Sequence, residues 1–289
     1  MPDFHDSVQI LVITGPTATG KTRLAVDLAQ HFNGEIISAD SRQVYHGMDI
    51  GSGKDLAEYG SIPYHLIDIA DPASEVYNLG RFCRDAWQAI GDIADRNKLP
   101  IVCGGTALYI AALLDSYRLP GGELPPRSYD TPRIRQNPDA PDSFTPPFSL
   151  SPLIMGVYYP RATVRKRIEQ RLDTRLNNGM IEEVKLLHKQ GVSYETMEFF
   201  GLEYREISLY LQNRCSLPEM RETLLNRIRQ FAKRQDIFFR KLEREGHRIY
   251  WLSEGKDPDP FVLTQKFLAG KSLPEISFRL CDHLNPPSY

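Results

Sequence analysis

A lysine and a hydroxyl closing a glycine-rich turn are the first residues whose types and spacing imply chemistry. Gly15-Pro-Thr-Ala-Thr-Gly20-Lys21-Thr22 fits G-x-x-x-x-G-K-[ST], with "VQILVI" before it and "RLAVDLAQ" after it. In a strand–loop–helix context, backbone N–H groups close around an anion and the helix N-terminus adds its positive end. Gly15, Thr17, Ala18, Thr19, Gly20, Lys21 and Thr22 are therefore read as a phosphate loop (P-loop). Lys21 would neutralise phosphate charge and the Thr22 hydroxyl would bind Mg²⁺. The motif does not name the phosphate compound.

Other chemistry-bearing residues sit where further strands should end. A P-loop ATPase usually closes a second apolar strand with a metal-binding acid, but "IVCGG" ends here in glycines. Asp40, closing "IISAD", could be a metal ligand, a general base beside the phosphate site, or a cap for the next turn. Thr106 could bind phosphate, cap a helix, or do both. Arg171 could pair on the surface with Glu169 or Asp173. His65 is read as a structural hydrogen bonder, and Phe231, Phe238 and Phe239 as core residues of a helix in preference to base-stacking ones.

The elements that must position these groups alternate in type. "VQILVITG", "GEIISAD", "YHLIDI" and "LPIVCGG" read as strands, and "KTRLAVDLAQHF" and "LGRFCRDAWQAIGDIADRN" as helices. Such alternation predicts an α/β fold, a P-loop NTPase-like parallel sheet flanked by helices, with ligands beyond the carboxyl ends of its strands. Asp40, Asp68 and Gly104-Gly105-Thr106 then share one end with the loop. The stretch 119–152 holds nine of the 21 prolines and reads as an extended connector. After it come a strand, "SPLIMGVYY", helical patterns over about 161–190, 194–213 and 217–245, and a last strand, "HRIYWLS". The expected organisation is a first core part over 1–118, the connector, last strands with a basic helical region over 153–255, and a tail over 256–289.

Composition limits the possibilities. The 289 residues are 41% hydrophobic and 25% charged, and none of the apolar runs reaches the eighteen or so residues of a membrane helix. "MPDFHDSVQILVI" does not read as a leader peptide, and four dispersed cysteines argue against disulfides or zinc. A cytoplasmic protein without membrane contact is expected, and a monomer is the simplest assembly. The net charge of −2 divides unevenly: 161–248 carries 19 Lys+Arg against 13 Asp+Glu, a local +6, leaving −8 elsewhere. That asymmetry suits a polyanionic partner, or a solvated helical face with i,i+4 pairs.

Several longer stretches occur in a familiar order: "GPTATGKT", "GEIISADSRQVYHGMDIGSGK", "PYHLIDIADP", "LPIVCGGTALYIAALL", "RKRIEQRL" with "GMIEEV", and "RQFAKRQ" with "FFR". Over about residues 8–118 and 153–252 the chain resembles the tRNA dimethylallyltransferases, which prenylate adenosine beside the anticodon. The resemblance implies that the P-loop holds the diphosphate of dimethylallyl diphosphate, with Mg²⁺ and basic groups stabilising it as it leaves. Adenine N6 would attack the allylic carbon while Asp40 orients and deprotonates the amine. Thr17 and Thr106 would lie near the diphosphate or its bridging oxygen, and Arg171 would clamp it. Ser41, Gln43 and Lys54 would line the site and meet the tRNA anticodon stem-loop. Arg229, Gln230, Lys233 and Arg234 would support the site or approach RNA.

The chain also departs from that family. The connector stands where most bacterial members carry a helical insertion followed by a basic motif. Glu203 replaces a usual glycine and Phe238 a usual tryptophan. These departures keep two alternatives open, prenylation of a free adenine nucleotide and a non-catalytic RNA-binding role.

Overall fold

The computed structural model describes residues 7–114 and 146–282. Most of the proline-rich connector therefore lies outside the described residues. Six parallel strands form one sheet in the order β3-β2-β4-β1-β5-β6. They are β1 Ser7–Thr14, β2 Gly34–Ser38, β3 Tyr64–His65, β4 Leu99–Cys103, β5 Ser149–Tyr158 and β6 Ile249–Ser253. β3 is shorter than "YHLIDI" suggested because Leu66 and Asp68 adopt positive φ, of 62° and 53°, which no strand accommodates.

Burial on both faces explains the near-continuous apolar strands. Ile10 and Val12 of β1, Val102 of β4 and Ile154 of β5 face one core. There they meet α2 (Leu79–Asp95), α3 (Ala107–Leu114) and the C-terminal helices. Leu11 and Ile13, Ile101 and Leu153 face the other core, with α1 (Lys21–His31) and α9 (Pro260–Leu268). The strand period of two divides the side chains between these layers. Helix α9 falls in the segment expected to be a tail. Asp259 caps its N-terminus, accepting from Phe261 N and Val262 N, and Pro260 opens the helix.

The basic region is broken more often than its apolar spacing suggested. Its helices are α4 (Arg161–Asn177), α5 (Met180–Lys189), α6 (Tyr194–Phe200), α7 (Leu202–Leu211) and α8 (Leu217–Arg244). Gly179, at φ 96°, interrupts the first pattern and Gly201, at φ 141°, the second, conformations that L side chains resist. α8 begins with a capping box between Ser216 and Glu219 and runs 28 residues, about 42 Å at 1.5 Å per residue. Its buried stripe includes Leu224, Ala232, Gln235, Phe239 and Leu242. Leu217 and Phe231 are exposed, so of the three phenylalanines Phe239 is fully in the core, Phe238 partly and Phe231 outside it. Ion pairs also link these helices: Arg221 with Asp173, Arg229 with Glu169 and Arg227 with Glu206.

Glu35 of β2 is buried under two cations and an imidazole. His65 Nε2 lies 2.7 Å, Arg96 Nη2 2.6 Å and Lys98 Nζ 2.8 Å from its oxygens, which gives His65 the structural role read from sequence. Burial raises the carboxyl's pKa, but the hydrogen bonds from Lys98, His65 and Arg96 outweigh it and hold the group at about 2. Its contribution is therefore present above the ordinary value of 4.5 and is lost as pH falls toward 2. Glu35→Gln is expected to cost roughly 2 kcal/mol at pH 7, a discounted figure because the partners reach solvent. Urea denaturation from pH 7 to pH 3 checks this: the gap between wild type and variant should narrow with acid, and a constant gap would count against it.

Candidate active site

One cleft of about 3200 Å³ opens at the carboxyl ends of the strands and extends between them and the C-terminal helices. The P-loop forms its floor. Ala18 (φ 63°) and Gly20 (φ 82°) turn the backbone left-handed on either side of Thr19, so the chain curls into the start of α1. Thr17, Ala18, Gly20, Lys21 and Thr22 line the cleft. Gly15 and Thr19 do not; Thr19 is buried and its hydroxyl donates to Pro16 O at 2.9 Å, fixing the loop from within.

Lys21 Nζ donates to Pro16 O at 2.7 Å, an internal stand-in for an anionic partner. Burial lowers the pKa of its ammonium to about 8, with Arg171 pushing in the same direction. Nearby, burial pushes the Cys103 thiol up to about 12, so this cysteine is a neutral packing residue.

Asp40 and Thr106 form the next wall, both lining the cleft. One carboxylate oxygen of Asp40 accepts from Arg42 N at 2.9 Å, so the local cap weighed from sequence is real. The cap uses one oxygen only and leaves the carboxylate facing the cleft. Thr106 Oγ1 accepts from Ser41 N at 3.2 Å, tying the two strand-end turns together. Gly104 permits that approach, since a Cβ there would collide with the Ala39 carbonyl.

The segment 41–55 supplies another side. Gln43 is held between Ser38 Oγ at 2.9 Å and Gly53 O at 3.2 Å. Lys54 lies in the wall with a fully buried side chain, its ammonium donating to Tyr45 O, Asp49 and Asp68. Asp68 is thus directed at Lys54, and both act here as struts. Glu183 of α5 accepts from the backbone N–H groups of Asp49 (2.9 Å), Ile50 (2.6 Å) and Gly51 (3.0 Å), and from the Tyr204 hydroxyl (2.8 Å). Three converging amides on one carboxylate fix the loop that faces the arginines.

From α4, Arg171 reaches the cleft, with Asp55 at 3.7 Å as its ion-pair partner. Glu169 and Asp173, the surface partners weighed from sequence, bind Arg229 and Arg221 instead. From α8, Gln230 and Arg234 line the cleft, whereas Arg229 is engaged with Glu169 and Lys233 is exposed away from it. Gln235 went unnoticed in the sequence. Its Oε1 accepts from Thr17 N at 2.9 Å and its Nε2 donates to Gly105 O at 2.8 Å, clamping the P-loop to the turn after β4. The available signal was a glutamine on the apolar stripe of a long helix, a buried polar group that must find partners.

A P-loop on a parallel sheet, a carboxylate beside it and a basic helical wall define a class of enzymes that act on phosphorylated substrates. Comparison with known proteins narrows the class. The IPP transferase model matches residues 43–145 and 127–242, and the Isopentenyl transferase model matches 8–59. The chain is 43% identical over 305 residues to tRNA dimethylallyltransferase 1 of Geotalea uraniireducens, covering 93% of this chain and 99% of that one. It is 44% identical to the Geotalea daltonii enzyme of the same name, over 86% of this chain and 92% of the relative. A tRNA isopentenylpyrophosphate transferase structure from Staphylococcus epidermidis superposes with a TM-score of 0.73 at 27% identity, covering 92% of this chain and all of that one. The chain belongs to the tRNA dimethylallyltransferase family, which are prenyltransferases.

The lowered pKa of Lys21 gives a pH prediction. A bound diphosphate favours the ammonium and raises its pKa, so affinity should be full below about pH 8 and fall as pH rises through it. Titration of inorganic diphosphate from pH 6.5 to 9.5 should show this decline in wild type and not in Lys21→Met. Parallel profiles for the two would contradict it.

Proposed function

We propose that the cleft performs dimethylallyl transfer from dimethylallyl diphosphate to N6 of adenosine next to the anticodon in tRNA, releasing diphosphate. The observation carrying this reading is the placement of Lys21, Asp40, Thr106 and Arg171 around one cleft bounded by the P-loop and the basic face of α8. A kinase also needs the first of these residues. Asp40 next to a loop built for a diphosphate suits an amine that loses a proton as it bonds to carbon.

The amides of the P-loop and Lys21 bind the diphosphate, with Thr17 and Thr106 near it or its bridging oxygen. As the N6 lone pair forms the N–C bond, the allylic C–O bond breaks and its electron pair leaves with the diphosphate. The Asp40 carboxylate takes the proton released from N6. Arg171 and Lys21 balance the charge that develops on the leaving oxygen. Among the described residues no group of three or more acidic, His or Cys side chains forms a metal cage. Mg²⁺ commonly uses few protein ligands together with the phosphates of its substrate, and the Thr22 hydroxyl at the start of α1 fits that donor set. The chemistry Mg²⁺ supplies when bound is neutralisation of diphosphate charge.

The exposed side chains Gln230 and Arg234, with Phe231, give the acceptor side of the cleft its polar and aromatic surface. Such a surface suits a nucleic acid, contacted through phosphates and an unstacked base. No helix among the described residues is long and apolar enough to cross a membrane.

Incubation with dimethylallyl diphosphate, Mg²⁺ and either tRNA or AMP, followed by mass analysis of nucleosides, tests the reading. The expected product is N6-dimethylallyladenosine from tRNA; product from AMP alone would overturn the assigned acceptor. Lys21→Ala and Asp40→Ala should each lower turnover by at least about a hundredfold. Near-wild-type turnover in Asp40→Ala would remove its role as base.

A further inference from the structure

Helix α4 lines the cleft with three guanidinium groups: Arg167 stacks on the Tyr159 ring at 3.8 Å, and of Arg171 and Arg175 only Arg171 has a role in the reading above. Arg175 lies four residues on, on the same face of the helix. Both side chains line the cleft, and a Cβ on Gly53 would overlap Nη2 of each, so the two tips meet at one place. Arg175 Nη2 is buried and has no hydrogen-bond partner among the described residues. A small cavity of about 20 Å³ joins this pair to the P-loop, bounded by Thr17, Ala18, Arg171, Arg175 and Glu203. Burial lowers the pKa of Arg175 to about 10, with Arg171 acting in the same direction. The guanidinium remains charged at neutral pH, and two cations at this spacing repel one another until an anion lies between them.

Glu203 lines the same small cavity as both arginines and is the one carboxylate among its lining residues. It stands in the first turn of α7, where the helix dipole favours an anion. Burial outweighs the pull of Arg175, Arg171 and Arg42 and leaves its carboxyl raised above the ordinary value. Its charge partners are therefore the same arginines that a diphosphate would meet.

We infer that Arg175 is a second diphosphate-binding guanidinium, held in the unliganded cleft by Glu203 as a resident counter-charge that the substrate diphosphate displaces. This deepens the prenyl-diphosphate reading of the site and rests on it. Arg171 and Arg175 together offer forked donors that share the small cavity with Thr17 and Ala18 of the P-loop. The diphosphate would be gripped by the loop and by α4. The two substitutions should then act with opposite signs, which a purely structural ion pair would not produce.

The test is calorimetric titration of inorganic diphosphate with Mg²⁺ into wild type, Arg175→Met, Arg175→Lys, Glu203→Gln and Lys21→Ala, with thermal melts to confirm folding. Arg175→Met should weaken binding at least ~10-fold and Arg175→Lys less, because the ammonium keeps the charge and loses the fork. Glu203→Gln should tighten binding about threefold by removing a competing anion. In turnover, Arg175→Met should raise KM for dimethylallyl diphosphate and leave KM for tRNA unchanged. Should Arg175→Met fail to fold, Arg175→Lys decides. Wild-type affinity in the folded Arg175 variants, with binding weakened in Lys21→Ala, would overturn the proposal alone. No diphosphate binding by the wild-type protein would overturn the underlying reading and the proposal with it.

Discussion

A cradle built for a polyanion must survive without it, and that constraint organises this cleft. Lys21, Arg171 and Arg175 converge on it, and low dielectric makes their mutual repulsion costly in the empty protein. Each cation is offset by something local. Lys21 donates to the Pro16 carbonyl, Arg171 has Asp55 beside it, and Arg175 has Glu203 in its field. None of these contacts is a close, fully paired salt bridge of the Glu35 kind. The difference is informative: at Glu35 three donors lie within hydrogen-bond distance and the charge is fixed, whereas in the cleft the cations are restrained and left available.

Geometry is held by side chains that bond the loops of the cleft to one another. Gln235 bridges Thr17 and Gly105, so the ends of β1 and β4 cannot separate. Glu183 gathers the amides of 49–51, and Gln43 joins Ser38 to Gly53. The P-loop, the turn after β4 and the loop at 49–55 are thereby fixed relative to one another before substrate arrives. Preorganisation of this sort lets a binding group act without reorganising during the reaction. The helices of the basic half are part of the same frame, since α5, α7 and α8 supply Glu183, Tyr204 and Gln235.

How much of this was legible in the sequence follows from how far apart the interacting residues lie. The P-loop, Asp40 and Thr106 are local signals at strand ends, and the alternation of strands and helices places them together on elementary grounds. The Asp40 cap and its cleft-facing carboxylate were alternatives in the sequence and coexist in the structure. Gln235 was missed because its partners are 218 and 130 residues away, and a helix pattern does not say what a polar residue on its buried stripe will meet. Arg175 looked like any basic residue on a charged helix until Gly53 and Glu203 came beside it. Lys54 and Arg229 show what else distant partners add. Both carry the charge a nucleic acid would want, and folding engages Lys54 with Asp49 and Asp68 and Arg229 with Glu169.

We propose that this P-loop holds the diphosphate of a prenyl donor and that the allylic carbon faces Asp40. The most direct test is a crystal structure with Mg²⁺ and dimethylallyl thiodiphosphate, whose sulfur bridge resists cleavage. The account predicts the diphosphate on the amides of the loop, between Lys21 and the α4 arginines, with the allylic carbon facing the Asp40 carboxylate. A diphosphate bound elsewhere, or a prenyl chain directed away from Asp40, would contradict it.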